Sequence, residues 1–508
     1  MTSGSIRTVI IVGGGTSGWM AAAMLARAFN GRLDIRLIES EEIGIVGVGE
    51  ATIPTIVAMN QFLGFDENEM IKATQGTFKL GIEFVDWYRK GESYFHQFGP
   101  FGRPFGILPL YQYWLKRHLD GAPAAGSLWD YSFNEHASRA NRFARAERIP
   151  DSPLDGLTHA FQFDASLYAR FMRGICEKQG VQRIEGRITG VNQRAGDGFI
   201  ESVTLQSGQV VAGDLFIDCS GFRGLLIEET LKAGFEDWSD FLPCDRAWAV
   251  PCASVAPLTP YTRATAHAAG WQWRIPLQHR TGNGHVFASR FMAEDEARAI
   301  LLANLDGEPQ AEPRLLKFAA GRRKTAWVKN VVALGLSSGF LEPLESTSIH
   351  LAQAGITRLL IMFPDKGFDP VEMAEYNRIS QREYELIRDF IILHYKATAR
   401  DDSPFWKHVR TMDVPETLAR KMDYFRAHGR VLIENDDLFK EMSWVQVLLG
   451  QGVIPTAASP LTAALTDAQI DGVLDNVRTI LTNATARLPT QEAYIARFCQ
   501  APPKDGLP

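Results

Sequence analysis

Cysteine is scarce in this chain, which has five cysteines in 508 residues. They are far apart in the sequence, odd in number and without CxxC spacing. We therefore expect neither a disulfide framework nor a metal site, and interpret them as ordinary thiols of the core or near surface. The cysteines are Cys176, Cys219, Cys244, Cys252 and Cys499.

Long apolar runs and long runs of one charge are also missing. The apolar stretch LLIMF at 359–363 is far too short to cross a bilayer, and the net charge of -6 is spread along the chain. We therefore expect no membrane and no nucleic acid as a partner. A core strand that starts by about residue 7 leaves no room for a secretory signal, so we expect a cytoplasmic protein.

What the chain has is enough apolar material for a large core. With 45% hydrophobic residues, 508 residues suffice for two or three domains or for one large elaborated domain. No internal repeat or low-complexity linker interrupts it.

The segment GGGTSGW at Gly13–Trp19 is the most informative motif. It follows the apolar run Val9–Val12 and opens the helix-forming run MAAAMLARAF, so its glycines lie at a predicted strand-to-helix turn. Gly13, Gly15 and Gly18 have the GxGxxG spacing, in which the glycines allow a tight turn, close approach of a pyrophosphate and close helix packing. The phosphates would lie at the helix N-terminus, beside Thr16 and Ser17.

A second apolar run, LDIRLIES, ends with Glu39 about 20 residues further on, where a carboxylate can bind ribose hydroxyls. Strand, glycine turn, helix and acidic residue thus occur in the order that a dinucleotide site requires. The GxGxxG spacing without these neighbouring elements would be weak evidence for a dinucleotide site.

Later segments extend this α/β pattern. Strand-like pieces recur at RITGVNQ, at FIESVTLQSGQVVAGDLFIDCSG and at VVALGLSSGF. Asp369 and Pro370 are a suitable cap and first residue for a helix, and the remainder to about residue 498 is predicted to be mainly helical. Residues 81–115 hold many aromatic rings but little helix or strand pattern, which is compatible with core packing and with the walls of a pocket.

On these residues the chain resembles a flavin-dependent halogenase of the tryptophan halogenase family, over nearly its whole length. The resemblance is carried by GGGTSGW, GVGEATIPT, GTFKLGIEF with Lys79, WQWRIP and GLSSGFLEPLESTSIH, with weaker support from SWVQVLLGQGVIP. WQWRIP is the most specific of these, because in this family it separates halogenases from flavin monooxygenases of similar fold.

The family implies an α/β fold with a Rossmann-type, flavin monooxygenase-like FAD-binding module and a mainly helical substrate-binding module. We expect residues 1–365 to form the FAD-binding module, with interleaved pocket segments at about 80–150 and 240–300. Residues 366–508 would form the helical module that completes the substrate pocket.

Lys79 and Glu345 are the expected catalytic residues. Most lysines are solvated surface charges, but Phe78, Leu80 and Ile82 are apolar, so the Lys79 amine is expected in a dry pocket where its pKa can fall. By resemblance, Lys79 captures hypohalous acid, either by hydrogen bonding or as a haloamine. Glu345 would polarise the electrophile and take the proton from the ring intermediate, although it is also suited to cap a helix beginning near Ser346 and Thr347.

The family resemblance assigns the halide site to Thr347 and Ser348, where successive backbone N–H groups at a helix N-terminus suit an anion. Better-known tryptophan halogenases have glycine at the position of Ser348. The serine hydroxyl leaves the choice between chloride and bromide open.

Trp271 and Trp273 alternate along a predicted strand that continues through Ile275 and ends at Pro276. In a generic protein they would be core aromatics. The resemblance places them in the wall of the tunnel and pocket, between flavin and substrate, where they prevent hydroxylation of the substrate. It also implies flavin contacts at Ala51, Leu336, Ile349 and, less securely, Ile188.

The resemblance implies FAD as the cofactor, supplied as FADH2 by a separate flavin reductase, together with oxygen and a halide ion, chloride or bromide. Hypohalous acid formed at the flavin would pass through a tunnel to Lys79 and halogenate a small aromatic substrate. No metal is implied, and a homodimer is compatible with the sequence.

The substrate is where the sequence departs from the best-known members. Tryptophan-specific members carry a tyrosine pair shortly before a glutamate that binds the amino-acid group of the substrate. Counting back from SWVQVLLGQG places the glutamate at Glu434 and the pair at Ala427 and His428. We therefore expect indole, a substituted indole or another electron-rich arene rather than free tryptophan, with Phe98 and Phe101 as further candidate contacts.

Two alternatives remain at this point. A flavin-dependent aromatic monooxygenase is disfavoured because GLSSG stands where such enzymes usually carry a Gly-Asp pair, and because WQWRIP is present. A flavin-binding protein without catalysis is disfavoured by the presence of both Lys79 and Glu345.

Overall fold

The structure is a computed structural model that describes residues 4–42, 49–145, 148–149 and 154–503. In chain order its strands are β1 (Thr8–Val12), β2 (Asp34–Glu39), β3 (Gly49–Ala51), β4 (Thr77–Lys79), β5 (Gly81–Val85), β6 (Ser93–Gln97), β7 (Ala160–Asp164), β8 (Gln182–Glu185), β9 (Ile188–Gln193), β10 (Ile200–Leu205), β11 (Val210–Ala212), β12 (Leu215–Asp218), β13 (Phe235–Asp237), β14 (Arg246–Cys252), β15 (Thr262–His267), β16 (Gly270–Pro276), β17 (Thr281–Phe287), β18 (Arg314–Lys317), β19 (Gly321–Arg323), β20 (Trp327–Val328), β21 (Val331–Ala333) and β22 (Gly339–Phe340).

The α-helices are α1 (Thr16–Phe29), α2 (Thr55–Leu63), α3 (Glu67–Ala73), α4 (Leu110–Leu119), α5 (Phe133–Arg139), α6 (Ala165–Lys178), α7 (Glu294–Ala303), α8 (Ser348–Ile361), α9 (Pro370–Lys396), α10 (Pro404–Thr411), α11 (Glu416–His428), α12 (Glu441–Gly450), α13 (Asp467–Arg487) and α14 (Gln491–Phe498). A π-helix spans Leu225–Thr230, and short 3₁₀ helices include Gly221–Arg223, Gly335–Ser337 and Pro343–Glu345.

The chain divides into two compact units. The first unit comprises Met1–Gly76, Phe163–Asp245 and Lys317–Glu385, and the second comprises Thr77–Gln162, Arg246–Leu316 and Leu386–Pro508. The division predicted from the sequence lies at 365/366, with the interleaved segments in the N-terminal module. In the structure those segments instead group with the C-terminal helices, because β5, β6 and β14–β17 form one sheet of the second unit.

The first unit is built on a six-stranded sheet of order β20-β21-β12-β1-β2-β8. All neighbouring pairs except β20–β21 are parallel, and Ile10 and Ile11 of the central strand β1 are fully buried. Helix α1 follows β1 after the glycine turn and ends with Asn30 in the left-handed region, a common way to terminate a helix. The predicted strand–turn–helix sequence is confirmed.

The second unit contains a seven-stranded sheet of order β18-β14-β17-β16-β15-β5-β6. Its strands pair antiparallel from β14 to β15, whereas β15 and β5 are parallel. A shorter antiparallel pair joins β4 to β7, with Lys79 opposite Ala160.

The aromatic-rich segment 81–115 shows little helix or strand pattern in its sequence, yet part of it is regular in the structure. The segment contains β5, β6 and the start of α4. The sequence of this segment is rich in aromatic residues because its strands bury aromatic side chains. One example is the stacked pair Phe84 and Tyr94, whose ring centroids are 5.0 Å apart.

The predicted helical C-terminal region is confirmed. Helix α9 begins at Pro370, and Asp369 caps it by accepting a hydrogen bond from the Val371 N–H at 2.7 Å. Five further α-helices follow, the last ending at Phe498. Among the described helices, none has both the length and the apolar character needed to cross a membrane.

Candidate active site

The three motif glycines of the first unit each meet a different steric demand. Gly13 has φ +111°, and a Cβ there would lie 2.2 Å from the Cys219 carbonyl oxygen. A Cβ at Gly18 would lie 1.9 Å from the Gly13 oxygen, whereas among the residues that the structure describes nothing lies within 4 Å of one at Gly15. The open space at Gly15, beside Thr16 and Ser17 at the start of α1, fits a pyrophosphate at a helix N-terminus.

Glu39, the predicted ribose ligand, lies at the end of β2 and already has partners. Its carboxylate forms an ion pair with Arg183 and accepts a hydrogen bond from Trp19 Nε1 at 3.3 Å. Arg183 was missed from the sequence, because it comes from β8, far along the chain. The two partners fix the carboxylate at the sheet edge, and its role toward a ribose stays a prediction.

Asp218 joins the turn that follows β12 to the turn that holds Leu336, one of the predicted flavin contacts. It is fully buried at the end of β12. Its Oδ1 accepts hydrogen bonds from the Ser220 N–H at 3.0 Å, the Ser220 hydroxyl at 2.6 Å and the Ser337 hydroxyl at 3.2 Å. Its Oδ2 accepts from the N–H groups of Leu226 and Ile227 at 2.7 and 2.8 Å. One carboxylate thus connects CSGFRG, the π-helix and GLSSG.

Asp218 was missed from the sequence, although a carboxylate that ends a buried parallel strand before a glycine-rich turn is a usable signal.

The remaining predicted flavin contacts are dispersed over the first unit. A Cβ at Gly335 would lie 2.2 Å from the Ser17 hydroxyl, so the turn with Leu336 lies directly against the start of α1. Ile349 is buried in the first turn of α8, and Ile188 starts β9 half-buried. Ala51 is buried in β3, but residues 43–48 of the loop before it lie outside the described residues.

Lys79 is completely buried in the second unit. It ends β4 between Phe78 and Leu80, which are also fully buried. Its ammonium Nζ lies 5.4 Å from the ring centroid of Phe98, within the range of a cation–π contact. Because lysine is rarely buried without a functional or pairing reason, this placement agrees with the predicted apolar setting.

Strand β6 ends at Gln97, which is opposite Gly81 of β5, two residues after Lys79. The side-chain amide of Gln97 donates a hydrogen bond to Glu135 at 2.8 Å. Glu135 is buried and also pairs with Arg139 at 2.6 Å. Burial raises the pKa of Glu135 to about 7, against the opposing effect of Arg139 and Gln97.

Glu345 and the predicted halide residues lie in the first unit, before α8. Glu345 is 1% exposed and ends a short 3₁₀ helix, and Ser346 follows in the left-handed region with φ +58°. Helix α8 begins at Ser348 with Thr347 as its N-cap residue, within two residues of the predicted start. The Thr347 hydroxyl is buried and lacks a hydrogen-bond partner in the described part of the chain.

A hydrogen-bonded chain also holds the start of α2 against α8. His350 Nδ1 lies 3.1 Å from the Thr55 hydroxyl, and its Nε2 lies 3.3 Å from Glu383. Arg358 contacts the other oxygen of Glu383 at 2.8 Å. These contacts tie the end of the GVGEATIPT segment to the helix that carries the predicted halide site.

The predicted tryptophan wall is a fully buried strand. All seven residues of β16 are buried, including Ile275 and Pro276, and Pro276 is its last residue as expected. The Trp271 and Trp273 rings are 6.2 Å apart at 59°, and Trp271 also lies 6.3 Å from Trp87. The strand and the shared face are confirmed, while the role of the wall stays a prediction.

The predicted substrate contacts differ in burial. Phe98 and Phe101 are buried at 8% and 4% exposure. Glu434 is exposed, and its carboxylate lies 3.9 Å from Arg420. Ala427 and His428 are the exposed last residues of α11, so no tyrosine pair stands there.

Comparison with known proteins identifies the family. The tryptophan halogenase family model matches residues 8–467. Tryptophan 7-halogenase RebH of Lentzea aerocolonigenes is 35% identical over 97% of this chain and 99% of its own length.

Two solved structures are closer in sequence. Xcc4156, a flavin-dependent halogenase from Xanthomonas campestris, is 46% identical with a TM-score of 0.94, over 98% of this chain and 99% of its own. BrvH, a flavin-dependent halogenase from Brevundimonas sp. BAL3, is 43% identical with a TM-score of 0.93 and the same coverage. The chain therefore belongs to the tryptophan halogenase family of flavin-dependent enzymes, as its motifs predicted.

Proposed function

We propose that this enzyme halogenates an electron-rich arene, an indole or substituted indole, with chloride or bromide, and that Lys79 delivers the halogen. The observation that carries the proposal is the complete burial of Lys79 beside the Phe98 ring. An amine held away from water can keep a reactive halogen from hydrolysis and other side reactions.

FAD fits the first unit, because the open Gly15 position and the start of α1 offer a phosphate cradle. When bound and reduced, FAD supplies with oxygen the oxidising power that converts halide to hypohalous acid. The FADH2 comes from a separate flavin reductase, which we propose as the partner in the cytoplasm. Glu39, Leu336, Ile349 and Ile188 would hold the cofactor.

The protein groups have separate tasks in this proposal. Thr347, whose buried hydroxyl has no partner among the described residues, and Ser348 at the start of α8 bind the halide. Lys79 holds hypohalous acid by hydrogen bonding or as a haloamine. Glu345 accepts the proton that the ring loses after halogen addition.

The substrate proposal depends on the absence, at positions 427 and 428, of the tyrosine clamp, the tyrosine pair that tryptophan-specific members carry. Ala427 and His428 offer no tyrosine hydroxyls, and Glu434 is exposed. Binding would then depend on burial of the aromatic ring against apolar residues such as Phe98 and Phe101, at about 25 cal/mol per Å². A zwitterionic amino acid would lose hydration without full compensation.

One assay tests the proposal. Purified protein is incubated with FAD, a flavin reductase, NADH, bromide or chloride, and a panel of indoles and phenols, and products are identified by mass spectrometry. We expect halogenated indole. Hydroxylated products would instead support an aromatic monooxygenase, and oxidation of FADH2 without substrate turnover would support a flavin-binding protein without catalysis.

A further inference from the structure

Trp273 in the second unit lies over a glycine of the neighbouring strand. In the register of β16 and β17, Trp273 is directly opposite Gly284. A Cβ built on Gly284 would lie 2.1 and 2.2 Å from two carbons of the Trp273 six-membered ring. The indole therefore occupies the space in which any larger residue at 284 would place its side chain.

The same row of the sheet carries small residues on both sides of this tryptophan. Ala264 of β15 is the other cross-strand partner of Trp273, and Ala249 of β14 is the next partner of Gly284. Both alanines are buried. Directly opposite residues share a face of the sheet, so the row Ala264, Trp273, Gly284 and Ala249 forms a shallow seat for one large ring.

Within the described part of the chain, no hydrogen bond holds the Trp273 ring. Its indole Nε1 is buried and has no acceptor among the residues that the structure describes. Other tryptophans of the second unit donate to carbonyl oxygens, among them Trp87 to Ala264 at 3.0 Å, Trp248 to Glu294 at 2.8 Å and Trp406 to His267 at 2.7 Å. The orientation of Trp273 thus depends on packing rather than on a polar contact.

We propose that Gly284 is a positioning residue for halogenation, acting by leaving free the space beside its backbone that the Trp273 indole occupies. The inference rests on the proposed function, in which the two tryptophans of β16 keep the arene from being hydroxylated. Gly284 does not have a left-handed backbone conformation, so alanine is compatible with its backbone. The added methyl group acts by steric contact, with the indole and with the Trp248 carbonyl oxygen at 2.7 Å.

A double-mutant cycle tests whether Gly284 seats Trp273. Gly284→Ala, Trp273→Phe and the double variant are compared by thermal unfolding and near-UV circular dichroism. Phenylalanine lacks the ring atoms that the new methyl group would strike. We expect Gly284→Ala to lower the Tm and change the aromatic signal in the parent, and to do so much less in the Trp273→Phe background. Equal effects in both backgrounds would overturn the proposal.

Product analysis tests the consequence for the reaction. With indole and bromide, we expect Gly284→Ala to lower halogenated product per FADH2 consumed by about tenfold, as a displaced positioning group does, and to raise hydroxylated product or hydrogen peroxide. Gly472→Ala lies in helix α13, where no described residue comes within 4 Å of the new Cβ, and serves as the control. Parent-like product yield in Gly284→Ala would refute the positioning role.

Failure of the proposed function gives a different result. A parent enzyme that produces no halogenated arene would refute the proposed function, while the unfolding cycle would still decide whether Gly284 seats Trp273.

Discussion

Lys79 is the residue on which the proposed chemistry depends. Replacement by alanine removes the amine, so we expect Lys79→Ala to abolish halogenation while FAD binding and FADH2 oxidation persist. Product formation is measured by mass spectrometry and FAD binding by fluorescence. Lys90→Ala, at an exposed lysine of the same unit, should remain active. Normal product yield from Lys79→Ala would remove Lys79 from the mechanism.

Glu345 is expected to act as a base. Glu345→Gln keeps size and hydrogen-bonding reach but removes the proton acceptor, so turnover should fall by about 10²-fold or more. Steady-state kcat with a saturating indole measures this. An unchanged kcat would restrict Glu345 to a structural role at the start of α8.

Glu135 makes stability depend on pH in an unusual direction. Burial raises its folded-state pKa to about 7 from the ordinary value of 4.5, so the folded protein binds the extra proton between these values. Stability should therefore be lost as pH rises from about 4.5 to 7, by up to about 3 kcal/mol from this group.

The glutamine of Glu135→Gln cannot ionise. The denaturant midpoint of this variant should therefore increase relative to that of the parent as pH rises from about 4.5 to 7. Glu92→Gln, at an exposed glutamate of the same unit, is the control. A constant difference between Glu135→Gln and parent across this range would contradict the assignment.

At the scale of elements, Asp218 connects β12, the π-helix and the 3₁₀ turn Gly335–Ser337 through five hydrogen bonds. Asp218→Asn keeps the shape but removes the charge and one acceptor oxygen. We expect the turns to loosen and the Kd for FAD to rise about tenfold or more, because hydrogen bonds to charged groups are worth about 1.5–3 kcal/mol.

Isothermal titration with FAD measures this effect. Asp197→Asn, at an exposed aspartate of the first unit, should bind FAD as the parent does. An unchanged Kd in Asp218→Asn would show that these turns do not shape the flavin site.

At the scale of the whole molecule, the proposed substrate contacts come from separate segments of the second unit. With apolar rings available and no tyrosine clamp, we expect kcat/KM for indole to exceed that for L-tryptophan. Attack should occur at C3, the electronically favoured carbon, because no clamp holds a less reactive position toward Lys79. A competition experiment with products located by NMR measures both. Preference for tryptophan, halogenated on its benzene ring, would show that other residues replace the clamp.

The sequence was sufficient wherever structure depends on neighbours along the chain. The turn at Gly13–Gly18, the strand that carries Trp271 and Trp273, and the start of α9 at Pro370 were predicted within a residue or two. Local backbone demands and side-chain alternation determine these features. The family motifs likewise predicted the fold class and the flavin-dependent halogenase class, which the comparisons confirm.

The tertiary structure alone decided which distant groups meet. The pairing of Glu39 with Arg183, the contacts of Asp218 with Ser337 and the position of Trp273 over Gly284 each join separate segments of the chain. The division of the chain into units and the strands within 81–115 also escaped prediction. Such contacts arise from strand order and register, which long-range packing sets and no local pattern records.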